Sequence, residues 1–138
     1  MPAGSVGIPA HLALGQAGED AAADLLRRSG FRILERNWRS GGLELDIVCE
    51  QGDTLVFVEV KTRKAEGLAN PEEALTAAKR RKLSKAIGLY LSARDLWDRS
   101  CRVDLVSVVH GPRGLSATRH EDVLDFSQDA SGAAWQPW

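Results

Sequence analysis

Cysteine is scarce in this chain: Cys49 and Cys101 are the only two in 138 residues. So few exclude a disulfide framework and a cysteine-based metal spacing. Both lie in apolar, strand-like runs, which predicts buried free thiols in a reducing compartment. No apolar stretch approaches the ~18 residues that would cross a bilayer. Met1 to Ala10 has neither the basic region nor the apolar block of a signal peptide. The expectation is a cytoplasmic protein with no membrane partner. Charge of one sign is also missing: 18 Lys+Arg face 19 Asp+Glu, a net −1, so bulk charge offers no argument for nucleic acid. His11, His110 and His120 are scattered without nucleophile or metal spacing, no serine sits in an elbow motif, and no glycines form a phosphate-cradling loop. There is no internal repeat and no sign of a second domain.

What remains is one ordinary globular domain, 43% hydrophobic and 27% charged. Residues 1–12, rich in Gly, Pro and Ala, are expected to be flexible, 13–126 to form a single domain, and 127–138 to be a loose tail. Leu14 to Ser29 has helical periodicity and Gly30 offers a left-handed stop. Phe31 to Trp38 reads as a strand, and Ser40-Gly41-Gly42 as a turn. Leu43 to Glu50 and Leu55 to Lys61 read as a hairpin around Gln51-Gly52-Asp53-Thr54. Asn70-Pro71-Glu72-Glu73 reads as a helix start, and that helix runs to about Ala93 with Leu75, Ala78, Leu83, Ala86, Ile87, Tyr90 and Leu91 as its buried stripe. Cys101 to Val109 is a further strand, and Leu115 to His120 a candidate last one. The order αβββαβ, with a final β left open, predicts an α/β fold: a central mixed β-sheet flanked by helices.

The chemistry concentrates in the hairpin. Leu43, Leu45, Ile47 and Cys49 are taken as one apolar face, and Val56, Val58 and Val60 as its match. These faces coincide when Ile47 lies opposite Val58, which puts Asp46 beside Glu59. Lys61 follows Glu59 by two positions and so shares its face, about 6–7 Å along the strand. Glu44 lies on the side of Asp46. Charges for solubility, or a plain Glu59–Lys61 ion pair, would also account for these residues. Against them, Glu59 and Lys61 interrupt a run too apolar for an open surface strand, and the carboxylates repel one another unless a cation is bound. Two carboxylates and a lysine together suit metal-assisted phosphodiester hydrolysis, with Mg2+ or Mn2+ as the ion. Glu19, in the first helix, reads from its own chemistry as a helix-dipole residue. Lys79-Arg80-Arg81-Lys82 is either a solvated helix face or a phosphate-contacting one. Lys61, Arg63 and Lys64 form a second basic group. Arg102 and Asp104 suggest a structural ion pair. Trp38, Trp97, Trp135 and Trp138 read as core or loop anchors.

Several motifs, in order, resemble the YraN-like family of small bacterial proteins. They are Gly18-Glu19, Gly30-Phe31-Arg32-Ile33-Leu34, Glu44-Leu45-Asp46-Ile47-Val48, Val56-Phe57-Val58-Glu59-Val60-Lys61-Thr62-Arg63, the Lys79 to Leu91 helix, and Arg102-Val103-Asp104-Leu105-Val106. The resemblance covers about residues 15 to 110. It implies a restriction-endonuclease-like core of the PD-(D/E)xK superfamily, similar to Holliday-junction resolvases. It further implies that Asp46, Glu59 and Lys61 form the signature, that the Val60 carbonyl joins Asp46 and Glu59 on the metal, and that Glu19 completes the site, reversing the dipole reading. Arg63 and Lys79 to Lys82 would contact nucleic acid. Two departures stand out: Leu45 replaces the signature proline, and Leu43 stands where the family usually has glycine. The implied activity is a metal-dependent nuclease acting on DNA, branched or structured DNA included. The alternative is a non-catalytic nucleic-acid-binding or adaptor module on the same fold. A homodimer stays open, since resolvase-like nucleases often pair, although no dimer stripe is visible.

Overall fold

Gly30 ends the first helix, as its position in the sequence predicts. In the computed structural model, which describes residues 10–65 and 75–124, helix α1 runs Ala10–Arg28. Gly30 takes a φ of 90°. Phe31 N–H donates to the Leu26 carbonyl at 2.9 Å and Gly30 N–H to that of Arg27 at 3.1 Å. This double closure is a Schellman cap, and Phe31 and Leu26 make the apolar contact that accompanies it. The helix begins at Ala10, not near Leu14, because Ala10 to Leu14 holds good helix formers and no breaker. The expected C-terminal tail, with Trp135 and Trp138, lies outside the described residues, as do residues 1–9.

The chain continues through β1 (Arg32–Ser40), β2 (Leu43–Gln51), β3 (Thr54–Lys64), α2 (Ala77–Arg94), β4 (Cys101–Gly111) and β5 (Gly114–His120). The strands form one sheet in the order β1-β2-β3-β4-β5. Only β3 and β4 are parallel, joined across α2; every other neighbour is antiparallel. This five-stranded mixed sheet with two helices is consistent with a restriction-endonuclease-like core, and the open last strand is present as β5.

The helices cover opposite faces. Leu55, Phe57 and Val103 pack with Leu83, Ile87, Tyr90 and Leu91 of α2. Val56, Val58, Val106 and Val108 pack with Ala22, Ala23 and Leu26 of α1. Alternation along β3 and β4 produces this division. It corrects the expected single face of β2: Leu45 and Val48 belong to the α2 side, whereas Ile47 and Cys49 belong to the α1 side. The strand changes face between Leu45 and Ile47, at Asp46.

Helix α2 also differs from expectation. Thr76 is its N-cap, accepting from Lys79 N–H at 3.2 Å, so the helix starts at Ala77. The cap foreseen at Asn70-Pro71-Glu72-Glu73 lies outside the described residues. Ala78, placed in the buried stripe, is exposed, while Leu75 just ahead of the helix is buried. Cys49 is buried, Cys101 is partly so, and both are free thiols. No helix among the described residues is long and apolar enough to cross a membrane.

Candidate active site

The hairpin register is the one its hydrophobic pattern dictates. β2 and β3 pair from Gln51–Thr54 through Cys49–Val56 to Ile47–Val58. There the ladder ends and a side chain takes over: the Val60 N–H donates to Asp46 Oδ2 at 2.8 Å. On the far side of β2, Arg36 pairs with Ile47 and Trp38 with Leu45. Between them Asn37 adopts a left-handed φ of 55°. A break in regular pairing thus surrounds Asp46 on both sides. The carboxylate sits in a fork of the sheet, in reach of groups from either face.

From the α2 face comes Glu59, only 8% exposed, in the β3 row that also holds Phe57. Its carboxyl lies beside that of Asp46, and the two interact through charge and hydrogen bonding. Lys79, in the first turn of α2, places Nζ 2.9 Å from Glu59 Oε2. From the α1 face comes Glu19. Its helix approaches β3 closely because residue 18 is glycine: a Cβ there would collide with Oγ1 of Thr62 and lie 3.0 Å from its Cβ and 3.1 Å from its Cγ2. Glu19 Oε1 is buried without a hydrogen-bond donor, 3.6 Å from Arg36 Nη2. Arg36 in turn binds Asp20 at 2.8 Å.

Crowding sets the electrostatics. Burial, then the Asp46 charge, pushes Glu59 up to about 7 against the pull of Lys79. Burial also raises Asp46, outweighing the Val60 N–H and Lys79. Burial and Asp46 together raise Glu19, with Asn37 and Arg36 opposing. For Lys79 burial disfavours the charge, but Glu59 and Asp46 prevail and raise its pKa. A second buried carboxylate shows what full satisfaction looks like. Asp104 is wholly buried, yet it receives Arg102 Nε at 2.9 Å, Arg119 Nη1 at 3.1 Å and the Asp122 N–H at 2.9 Å. It is the structural ion pair read from the sequence. Among the described residues, Asp46 accepts from the Val60 N–H and Glu59 pairs with Lys79.

The remaining candidates sit around this centre. Lys61 is exposed on β3, two residues past Glu59 on the same row, and Arg63 is half-buried beyond it. Val60 is half-buried and already gives its N–H to Asp46. Glu44 is exposed and paired with Arg39 at 3.2 Å. Arg81 and Lys82 are exposed on α2, and Arg80 donates from Nε to the Leu75 carbonyl at 3.0 Å. Lys79, grouped in the sequence with the phosphate-tracking residues, is instead turned into the carboxylates. Its place in a four-residue basic run gave no signal of that. Sequence reasoning also missed the roles of Arg36, Asn37 and Thr62. Gly18, flanked by alanines at 17 and 21, was the one readable sign of a close helix approach.

Among the described residues, no three His, Cys, Asp or Glu side chains converge as a ready-made metal-ligand set. The donors present suit a different mode of binding. Mg2+ is commonly held by one or two carboxylates, the rest of its shell being water and substrate phosphate. A carboxylate pair with the buried Oε1 of Glu19 nearby, 3.6 Å from Arg36, fits that requirement.

Residues 18–108 match the model of Uncharacterised protein family UPF0102. A UPF0102 protein of Nitratidesulfovibrio vulgaris is 53% identical over 135 residues, covering 95% of this chain and 99% of that one. One from Lawsonia intracellularis is 43% identical over 127 residues, covering 91% and 96%. The crystal structure of SSO0001 aligns over 89% of this chain and 58% of that one, at 14% identity and a TM-score of 0.37, too distant to carry an argument. With the family model spanning most of the chain and relatives this similar over nearly their whole length, the chain belongs to Uncharacterised protein family UPF0102, the YraN-like family its motifs resemble.

Proposed function

We propose that this protein is a metal-dependent nuclease that hydrolyses phosphodiester bonds in DNA, with branched or structured DNA as its substrate class. The observation that carries the reading is the fork: the half-buried Asp46 and the buried Glu59 lie side by side at the point where β2 and β3 separate. A purely structural pair would be expected to have donors like those of Asp104. When bound, Mg2+ or Mn2+ supplies positive charge against the phosphoryl oxygens and eases deprotonation of water. Asp46 and Glu59 would hold the ion together with the carbonyl of Val60, which follows Glu59 in the chain, and Glu19 would support it directly or through water. Lys61, exposed at the outer end of the same row, orients water and steadies charge developing on the phosphate. Arg63, Arg80, Arg81 and Lys82 hold the nucleic-acid backbone.

The ion pair between Lys79 and Glu59 favours a second reading, a nucleic-acid-binding or adaptor module in which the lysine permanently neutralises the carboxylates. Two substitutions separate the readings. Lys61→Ala leaves both carboxylates, so Mn2+ binding by calorimetry should survive while cleavage falls on the order of a hundredfold. Glu59→Ala removes a ligand, so metal affinity and cleavage should fall together. Wild-type protein that binds DNA but takes up no Mn2+ would favour the adaptor.

A further inference from the structure

Two lysines border the carboxylate pair, and only one has a role in the scheme above. Lys61 is exposed at the outer end of the Glu59 row. Lys79 crosses from α2 to place its ammonium 2.9 Å from Glu59 Oε2, and it also bears on Asp46 and Glu44. An ammonium at that distance stands where a hard cation would bind the same oxygen. A divalent ion bound at the same carboxylate would bring a second positive charge next to the ammonium, and the two repel strongly.

Resting on the metal-dependent reading, we infer that Lys79 is the resident counter-cation of the Asp46–Glu59 pair, and that a divalent ion binds the pair only by displacing it. The lysine keeps two buried carboxylates compatible with the fold while no ion is bound. It also lowers their affinity for free divalent ions, because each ion that enters must first break the Glu59 contact. Its side chain is 41% exposed, so the ammonium has a path to solvent. Once out, it joins Arg81 and Lys82 on the basic end of α2, facing the same polyanion they serve. Lys79 is therefore a positioning residue for metal loading, whereas Lys61 acts on the reaction itself.

The test is Ca2+ binding by calorimetry at about pH 9, where protons no longer compete for the carboxylates while lysine keeps its charge. Lys79→Met should bind Ca2+ about tenfold or more tightly than wild type, in line with the effect of one adjacent charge on an ionised carboxylate. Lys79→Arg, which keeps the charge, should stay near wild type, and Lys61→Met should change affinity far less than Lys79→Met. Lys79→Gln retains a donor to Glu59 without the charge and serves if methionine disturbs the helix. The rise in melting temperature on adding Ca2+ should likewise be larger for the neutral variants. Equal or weaker Ca2+ binding by folded Lys79→Met and Lys79→Gln, with wild type binding, overturns the displacement and leaves the metal site standing. Failure of every variant and of wild type to bind overturns the metal-dependent reading and this inference together.

Discussion

At the scale of single residues, two carboxylate groups carry the contrast that matters: the buried Asp104 and the half-buried Asp46 with its neighbour Glu59. Asp104 is held by two arginines and a backbone N–H. Asp46 and Glu59 crowd one another beside Lys79, and burial with the Asp46 charge raises Glu59 to about 7 from its ordinary 4.5. A folded-state pKa raised above the unfolded value means that folding favours the protonated form. The associated stability is full below about pH 4.5 and is lost as pH rises through about 7. Over that interval the loss is on the order of a few kcal/mol. Chemical denaturation at pH 5 and pH 8 should therefore show a larger drop for wild type than for Glu59→Gln, and equal drops would contradict the assigned environment. The neighbourhood of Asp46 and Glu59 was legible because an apolar register admits one alignment. The Lys79 contact was not, since a lysine within a basic run looks the same whether it points outward or inward.

At the scale of elements, the site depends on how closely α1 approaches β3. Gly18→Ala opposes two effects. Alanine gains about 1 kcal/mol of helix propensity. Overpacking against Thr62 costs about 1–3 kcal/mol, and turning the hydroxyl does not relieve it because Cβ and Cγ2 are also within 3.1 Å. The clash should win: Gly18→Ala should lower the melting temperature and weaken Mn2+ binding by displacing Glu19, and Thr62→Ala should recover part of both. An unchanged or raised melting temperature would show that the helix does not sit against Thr62 this tightly. The elements themselves were readable from local chemistry, as with Gly30 and the Gln51 to Thr54 turn. The change of face at Asp46 was not, because strict alternation is the only rule a strand's sequence announces. It is broken here by a left-handed Asn37 on the neighbouring strand and by a carboxylate bonding to the Val60 N–H. The cap of α2 at Thr76 was not read, because the capping signal at Asn70, which lies outside the described residues, precedes it by six positions.

At the scale of the whole molecule, a sheet covered on both faces leaves its charged groups at one end of β3 and on the basic start of α2. The protein is nearly neutral overall, so any nucleic-acid affinity must come from that local surface. Replacing exposed Arg81 and Lys82 with Ala should weaken DNA binding and lower the log–log salt slope by about 0.7–0.9 per lost phosphate contact. An unchanged slope would make them an ordinary solvated face. Layer order and sheet type were legible because helix and strand periodicities alternate cleanly along the chain. The substrate was not, because an exposed basic surface has the same composition whether or not it contacts a phosphate backbone. The central claim, hydrolysis by the Asp46–Glu59 pair, is tested most directly by single-turnover cleavage of end-labelled linear, nicked, flap and four-way DNA with Mg2+ or Mn2+, comparing wild type with Asp46→Asn. A nuclease of this design cuts at least one of these substrates only when metal is present, and Asp46→Asn loses a hundredfold or more of that rate, on the order seen when a positioned electrostatic group is removed. Wild type that binds these DNAs and cuts none, or cleavage that Asp46→Asn leaves intact, would contradict it.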